Sequence, residues 1–156
     1  MADLRIEPVA LAQVDLRTAE PSRSPLPLPE ANRWSAAGDR EALWLGPDEW
    51  LVVDDAGSAA AIVADLERAY AGTHVSVVDV SANRAAFDLI GEDVRDVLAL
   101  GCSLDLHPTR WRDGDCAQTL VGRVGALLQQ RADATRVFVR PSFAAHLLAF
   151  LDAVTA

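Results

Sequence analysis

The spacing of the apolar residues from position 42 onward constrains this fold more than any other feature of the sequence. Short apolar runs rich in Val, Leu and Trp alternate with segments whose apolar residues recur every three or four positions. The first pattern is typical of strands and the second of helices. We therefore predict strands at 42–46, 49–55, 74–81, 84–91, 117–130 and 135–141, and helices at 57–72, 92–101 and 142–154.

Glycine and serine mark several boundaries of these segments. Ser142 is a typical N-cap for the last helix, and Gly101 follows the last apolar position of the second one. The segment 117–130 is predicted as one strand, bent at Gly122 and Gly125. A polar turn after it predicts a hairpin with the next strand.

The first forty residues are less regular. Residues 4–17 partly alternate apolar and polar side chains and predict one or two strand pieces broken near Pro8. The segment 18–34 has four prolines, at positions 21, 25, 27 and 29. Proline lacks an N–H donor and fixes φ, so this segment is not expected inside a sheet or helix. It is either a surface loop, the more usual case, or a stiff arm lying along a partner subunit.

The order of the predicted elements from residue 42 is β-β-α-β followed by β-α-β-β-α. Two helices each connect strands, and the third returns to the sheet at the end of the chain. This order predicts an α+β fold with a ferredoxin-like or split-βαβ sheet and helices packed on one face. With 156 residues the chain has the usual size of one domain, so a single domain over 1–156 is predicted.

Composition excludes several classes of function. The formal net charge of -9 argues against nucleic acids and anionic membranes as partners, because both bind basic surfaces. All 14 basic residues are arginine, so the chain has neither a Schiff-base lysine nor the lysine of a phosphate-binding P-loop. No apolar run approaches the roughly 20 residues that span a bilayer, and the charged N-terminus differs from a signal peptide. A cytoplasmic protein with free thiols is expected.

Both cysteines of the chain lie within residues 101–119, which also contain candidate metal ligands. Cys102, His107 and Cys116, with Asp105 as a fourth ligand, have the right chemistry for zinc. Their spacings of five and nine residues differ from the tight pairs of structural zinc sites, so packed thiols are the favoured interpretation. A Cys102–His107 nucleophile is also disfavoured, because the negative end of the preceding helix opposes a thiolate.

The aromatic and basic residues of the loops suggest a binding surface instead. Trp44 and Trp50 belong to predicted strands and are expected in the core. Trp34 and Trp111 belong to predicted loops, where tryptophan is a good interface anchor. We take as candidate interface residues Trp34, Trp111, His107, Arg110 and Arg112. If Trp111 and the proline segment lie at an interface, Trp111→Ala weakens assembly and leaves the fold intact. His146 is interpreted as a partly buried residue of the last helix.

Four stretches together carry a resemblance to a known family. They are LGPDEWLV (45–52), RAAFDLIGEDVRDVLALGCSLDLHP (84–108), CAQT (116–119) and VRPSFAAHLLAFLDA (139–153). With them, residues 42–156 resemble the gamma subunit of heterotetrameric sarcosine oxidase. The resemblance implies a fold like the N-terminal folate-binding domain of the glycine-cleavage aminomethyltransferase.

The resemblance also implies a function and a set of partners. The family's complex oxidatively demethylates sarcosine to glycine, produces hydrogen peroxide and passes formaldehyde equivalents to tetrahydrofolate. FAD, FMN and NAD belong to its alpha and beta subunits and zinc to its delta subunit. This chain is then expected to be an assembly subunit that docks mainly on alpha and holds no cofactor or catalytic residue. The alternative is a stand-alone folate-binding module or aminomethyltransferase-like one-carbon protein.

Overall fold

Strands dominate the computed structural model of this chain, which describes residues 2–156. The strands are β1 (Arg5–Val9), β2 (Leu11–Thr18), β3 (Trp34–Ala37), β4 (Arg40–Gly46), β5 (Glu49–Asp55), β6 (Val75–Asp79), β7 (Ala85–Ile90), β8 (Cys116–Val121), β9 (Val124–Gln130) and β10 (Thr135–Val139). The α-helices are α1 (Ala59–Ala69), α2 (Val94–Ala99) and α3 (Pro141–Thr155), and Pro21–Arg23 form one turn of 3-10 helix. Within the described part of the chain, no helix combines the length and the apolar character needed to cross a bilayer.

The elements form two compact units, each built on its own five-stranded antiparallel sheet. The C-terminal unit comprises residues 2–9 and 83–156, and its strand order is β1-β7-β10-β9-β8. The N-terminal unit comprises residues 10–82, and its strand order is β3-β4-β5-β2-β6. The predicted α+β class is confirmed, but the single predicted sheet is replaced by two. The single domain expected over 1–156 was inferred from chain length, and the described residues divide into these two units.

The first two strands show why two sheets were not predicted. β1 pairs with β7 in the C-terminal unit, whereas β2 pairs with β5 and β6 in the N-terminal unit. Pro8, the predicted break, lies inside β1, and the strands separate at Ala10 instead. β1 is an edge strand, where a residue without an N–H donor is tolerated. The local pattern identifies strands, but the choice of partner depends on residues far along the chain.

The segment predicted as one bent strand at 117–130 is a tight hairpin of β8 and β9. Val121 and Val124 face each other across a two-residue turn formed by Gly122 and Arg123. Both turn residues have positive φ, 54° and 73° respectively. This is the backbone geometry of a type I′ turn, which matches the twist of paired strands. The following hairpin of β9 and β10 was predicted and is confirmed.

The proline segment at 18–34 is held against the N-terminal unit. Leu26 is buried in the core of that unit, with 4% of its surface exposed. The Trp50 indole nitrogen donates to the Pro29 carbonyl at 3.0 Å, and the Ser35 hydroxyl donates to the Pro27 carbonyl at 2.5 Å. These contacts hold the segment on its own unit, and the choice between a surface loop and an arm along a partner subunit stays a prediction.

Helices α2 and α3 contribute to the core of the C-terminal unit together with the sheet. The fully or almost fully buried members of this core include Leu89, Leu98, Leu128, Val137, Leu147 and Leu151. α3 begins at Pro141, and Arg140 rather than the predicted Ser142 occupies its N-cap position. Proline fits the first turn of a helix, because the backbone N–H groups there have no intrahelical partner.

An ion pair joins two central strands of the C-terminal unit. Asp88 of β7 lies directly opposite Arg136 of β10. The guanidinium donates to both carboxylate oxygens, at 2.7 and 2.9 Å, and both side chains are largely buried. The two residues are 48 positions apart, so no local sequence pattern predicts the pair. Such bidentate geometry compensates two charges that would be costly to bury alone.

Candidate functional site

The loop between α2 and β8, residues 100–115, contains four of the five candidate interface residues. It is attached to α2 by Arg95, whose Nη1 atom donates to the Leu106 carbonyl at 2.7 Å and to the Trp111 carbonyl at 2.8 Å. One guanidinium group therefore fixes two points of the loop. No pattern in the sequence indicates this role, because Arg95 is a single basic residue on a short helix.

Successive hydrogen-bonded turns hold the first half of this loop. The Asp105 carboxylate accepts from the His107 backbone N–H at 3.1 Å. The His107 carbonyl in turn accepts from the backbone N–H groups of Arg110 and Trp111, at 2.8 and 2.9 Å. Asp105 closes its turn through its own side chain, as Asp commonly does. The loop therefore presents its side chains from a fixed backbone.

His107, Arg110 and Arg112 are exposed on this loop, as a surface role requires. Thr109 connects two of them. Its backbone N–H donates to the His107 Nδ1 atom at 3.3 Å, and its carbonyl accepts from the Arg112 guanidinium at 2.8 Å. The Thr109 hydroxyl oxygen lies closer still, 2.8 Å from the same Nδ1 atom. The three residues lie within one loop, and their interface role stays a prediction.

Trp111 differs from these neighbours, because its side chain is part of the core. Only 7% of its surface is exposed, and it belongs to the same buried cluster as Leu106. Its indole nitrogen is buried and has no hydrogen-bond acceptor among residues 2–156. The loop was predicted correctly, but the exposed anchor expected of Trp111 is wrong. The turns of the loop direct this large apolar side chain inward.

Trp34 belongs to the N-terminal unit, whereas the other four candidates belong to the C-terminal unit. It is the first residue of the edge strand β3, opposite Leu43, and is half-buried. Its predicted loop position is therefore wrong. Trp44 is half-buried in β4, and Trp50 is buried as predicted, with 4% exposure. Trp34 remains a partly accessible aromatic residue on a sheet edge.

The ligand-type residues of the loop are used for packing and hydrogen bonding. Both cysteines are free thiols, and Cys116 is fully buried at the start of β8. The Cys102 sulfur lies 3.7 Å from the Thr119 hydroxyl. Across residues 2–156, no three His, Cys, Asp or Glu side chains are grouped to hold a metal ion. His146, predicted to be partly buried, is exposed, and its Nε2 lies 2.9 Å from the Gly122 carbonyl.

Gly101 and Gly122 form a close contact at the start of the loop. The Gly122 N–H donates to the Gly101 carbonyl at 3.1 Å. A Cβ atom on Gly101 would lie 2.4 Å from the Phe150 ring and 2.9 Å from the Gly122 nitrogen. Gly101 follows α2 as predicted, but it does not adopt the left-handed conformation of a helix-ending glycine. Glycine is required at position 101 because the Gly122 backbone and the Phe150 ring leave no room for a Cβ atom.

Removing the Arg95 guanidinium is expected to loosen the loop. In Arg95→Ala two carbonyls lose their donor, which costs about 1–3 kcal/mol of local stability. We expect trypsin to cut the folded chain after Arg110 about tenfold faster than in the parent protein, because cleavage follows local opening. Asp96→Asn, an exposed change on the same helix, is the control. Equal cleavage rates in Arg95→Ala and the control would contradict this role.

Comparison with known proteins gives the family of the chain. The model of the sarcosine oxidase gamma subunit family matches residues 13–156. The chain belongs to this family. It is 34% identical over 122 residues to a sarcosine oxidase gamma subunit from an Arthrobacter species, covering 77% of this chain and 59% of that protein. A gamma subunit from Corynebacterium strain P-1 is 33% identical over 110 residues, covering 70% and 53%. The chain thus spans somewhat more than half the length of these relatives.

Solved structures agree with this assignment. The chain superposes on a chain of the heterotetrameric sarcosine oxidase from Corynebacterium sp. U-96 with a TM-score of 0.87, 26% identity and coverage of 97% of this chain and 84% of that one. It also matches the glycine-cleavage aminomethyltransferase T from Bartonella henselae, with a TM-score of 0.75 and 15% identity, over 98% of this chain and 47% of that one. The second likeness concerns the fold alone. The resemblance inferred from the sequence is therefore confirmed for both family and fold.

Proposed function

We propose that this chain is the non-catalytic gamma subunit of a heterotetrameric sarcosine oxidase. In the proposed complex, sarcosine is oxidatively demethylated to glycine and dioxygen is reduced to hydrogen peroxide. The observation that carries the proposal is the superposition on a chain of such an oxidase over 97% of the present chain, at a TM-score of 0.87. Family membership over residues 13–156 supports it independently of the coordinates.

The proposal includes the partners and the division of labour. The chain docks on the alpha, beta and delta subunits, mainly alpha, and those subunits hold FAD, FMN, NAD, tetrahydrofolate and zinc. The contacts of the α2–β8 loop support an assembly role. Its best candidate ligands, His107 and Asp105, hold the backbone turns of the loop. The free thiols of Cys102 and Cys116 fit a reducing cytoplasm, where the complex is proposed to work.

Expression of the chain alone and with its partners tests this function. The isolated chain is expected to bind no flavin and to produce no peroxide from sarcosine. Co-expressed with alpha, beta and delta subunits, it is expected to co-purify in a complex that does both. Sarcosine-dependent peroxide from the isolated chain, or a complex that forms without it and is fully active, would overturn the proposal. Tetrahydrofolate binding by the isolated chain would favour the stand-alone folate module instead.

A further inference from the structure

A groove of about 440 Å³ lies between α2 and the first half of the α2–β8 loop. Four apolar residues contribute to its lining: Ala99 from α2, and Leu104, Leu106 and Pro108 from the loop. Leu106 also belongs to the core, so this part of the floor is fixed. Arg95 reinforces the shape, because it joins the helix to the loop at the Leu106 carbonyl. The groove is therefore a built depression with an apolar surface.

Three carboxylates line the same groove. Glu92 and Asp96 come from the residues before and within α2, and Asp105 comes from the loop. None of the three forms an ion pair within residues 2–156. The only guanidinium in the lining is that of Arg95, whose Nη1 atom is committed to two backbone carbonyls. With His107 neutral, the lining has a formal charge of -2.

We infer that this groove docks a segment of a partner subunit that carries an arginine or lysine beside an apolar side chain. The apolar side chain would bury against Leu104 and Leu106, and the cation would pair with Asp96 and Asp105 at the rim. Complementary charge of this kind steers association and fixes the register of two surfaces. The inference rests on the proposed function, because that function supplies the partner subunits.

Charge also argues against a second copy of this chain as the occupant. The chain has a net charge of -9, so a second copy would bring further carboxylates toward the acidic rim. Like charges placed opposite each other across an interface are unfavourable. A segment of a different subunit that carries a basic residue has the complementary charge. The apolar side chain beside that residue can pack against the apolar lining of the groove.

Two substitutions test the groove. Ala99→Arg places a long side chain at an exposed lining position in the last turn of α2, where a basic residue favours the helix. Asp96→Arg reverses one rim charge. Each is expected to raise the Kd for the purified alpha, beta and delta subunits by about tenfold or more. Asp113→Arg, at an exposed acid in the same loop but outside the lining, is the matched control and is expected to bind like the parent chain.

The outcomes separate this inference from the proposed function. Circular dichroism first confirms that each variant is folded. If the parent chain assembles and both groove variants assemble equally well, the groove inference is wrong and the proposed function stands. If the parent chain does not assemble, both are overturned. If the isolated chain self-associates and Ala99→Arg abolishes that association, the occupant is a second copy and the inference is overturned. If added salt raises the Kd for the partner subunits more in the parent chain than in Asp96→Asn, the result supports the inferred cation.

Discussion

Replacing Trp111 with alanine is expected to lower the free energy of unfolding by about 3–5 kcal/mol, the usual cost of removing a large aromatic side chain from a core. Trp111 is 93% buried within the cluster that also contains Leu106 and Val97. Its removal leaves a cavity that these neighbours fill only in part. Urea unfolding followed by circular dichroism measures the loss. Weakened assembly in this variant would then follow from instability of the loop, because Trp111 is not an exposed anchor.

Two further variants provide stability changes with which the loss in Trp111→Ala can be compared. Trp111→Phe retains an aromatic ring, and the Trp111 indole nitrogen has no acceptor within residues 2–156, so we expect this change to cost less than alanine. Arg110→Ala removes the exposed neighbour and is expected to change stability by about 0.5 kcal/mol or less. A Trp111→Ala protein as stable as Arg110→Ala would show that the side chain is not in the core.

Gly122→Ala is expected to destabilise the C-terminal unit by about 3 kcal/mol, for two separate reasons. Gly122 has a φ of 54°, a left-handed conformation that costs a residue with a Cβ atom about 1–2 kcal/mol. That Cβ atom would also lie 2.6 Å from the Phe150 ring, and overpacking of this kind adds about 1–3 kcal/mol. Denaturant unfolding of the purified variant measures the sum.

Gly125→Ala is the matched control for this prediction. Gly125 lies in the same hairpin and the same unit, has no positive φ, and has open space where a Cβ would go. We expect its substitution to change the free energy of unfolding by about 0.5 kcal/mol or less. Similar losses in Gly122→Ala and Gly125→Ala would mean that the turn and Phe150 adjust without cost.

Much of the secondary structure could be predicted from residue patterns. The short apolar run at 49–55 is β5, and the helical spacing at 142–154 is α3 with a start shifted by one residue. The incorrect strand prediction concerns a residue that fits two different local structures. Gly122 was interpreted as a bend in one strand and is instead part of a hairpin turn, because Arg123 beside it also adopts positive φ. Nothing about an arginine signals that conformation.

The candidate site, too, was only partly predictable from the sequence. The clustered cysteine, histidine, tryptophan and arginine residues at 101–119 indicated a loop worth testing as an interface, and His107, Arg110 and Arg112 are exposed there as expected. The direction of Trp111 and the role of Arg95 were not predicted. Both depend on contacts formed only when the loop lies against α2, since Arg95 binds carbonyls 11 and 16 residues away.

By itself the sequence determined the α+β class, the family and the absence of lysine chemistry, because these depend on local periodicity, ordered motifs and composition. Only the tertiary structure decided that β1 and β2 enter different sheets, that Asp88 faces Arg136, and that Trp111 is buried. It also placed the carboxylates of α2 and the loop around one apolar groove. The pairing of strands and the surroundings of each side chain depend on contacts between residues that are distant in the chain. The energies of those contacts cannot be inferred from a local sequence pattern.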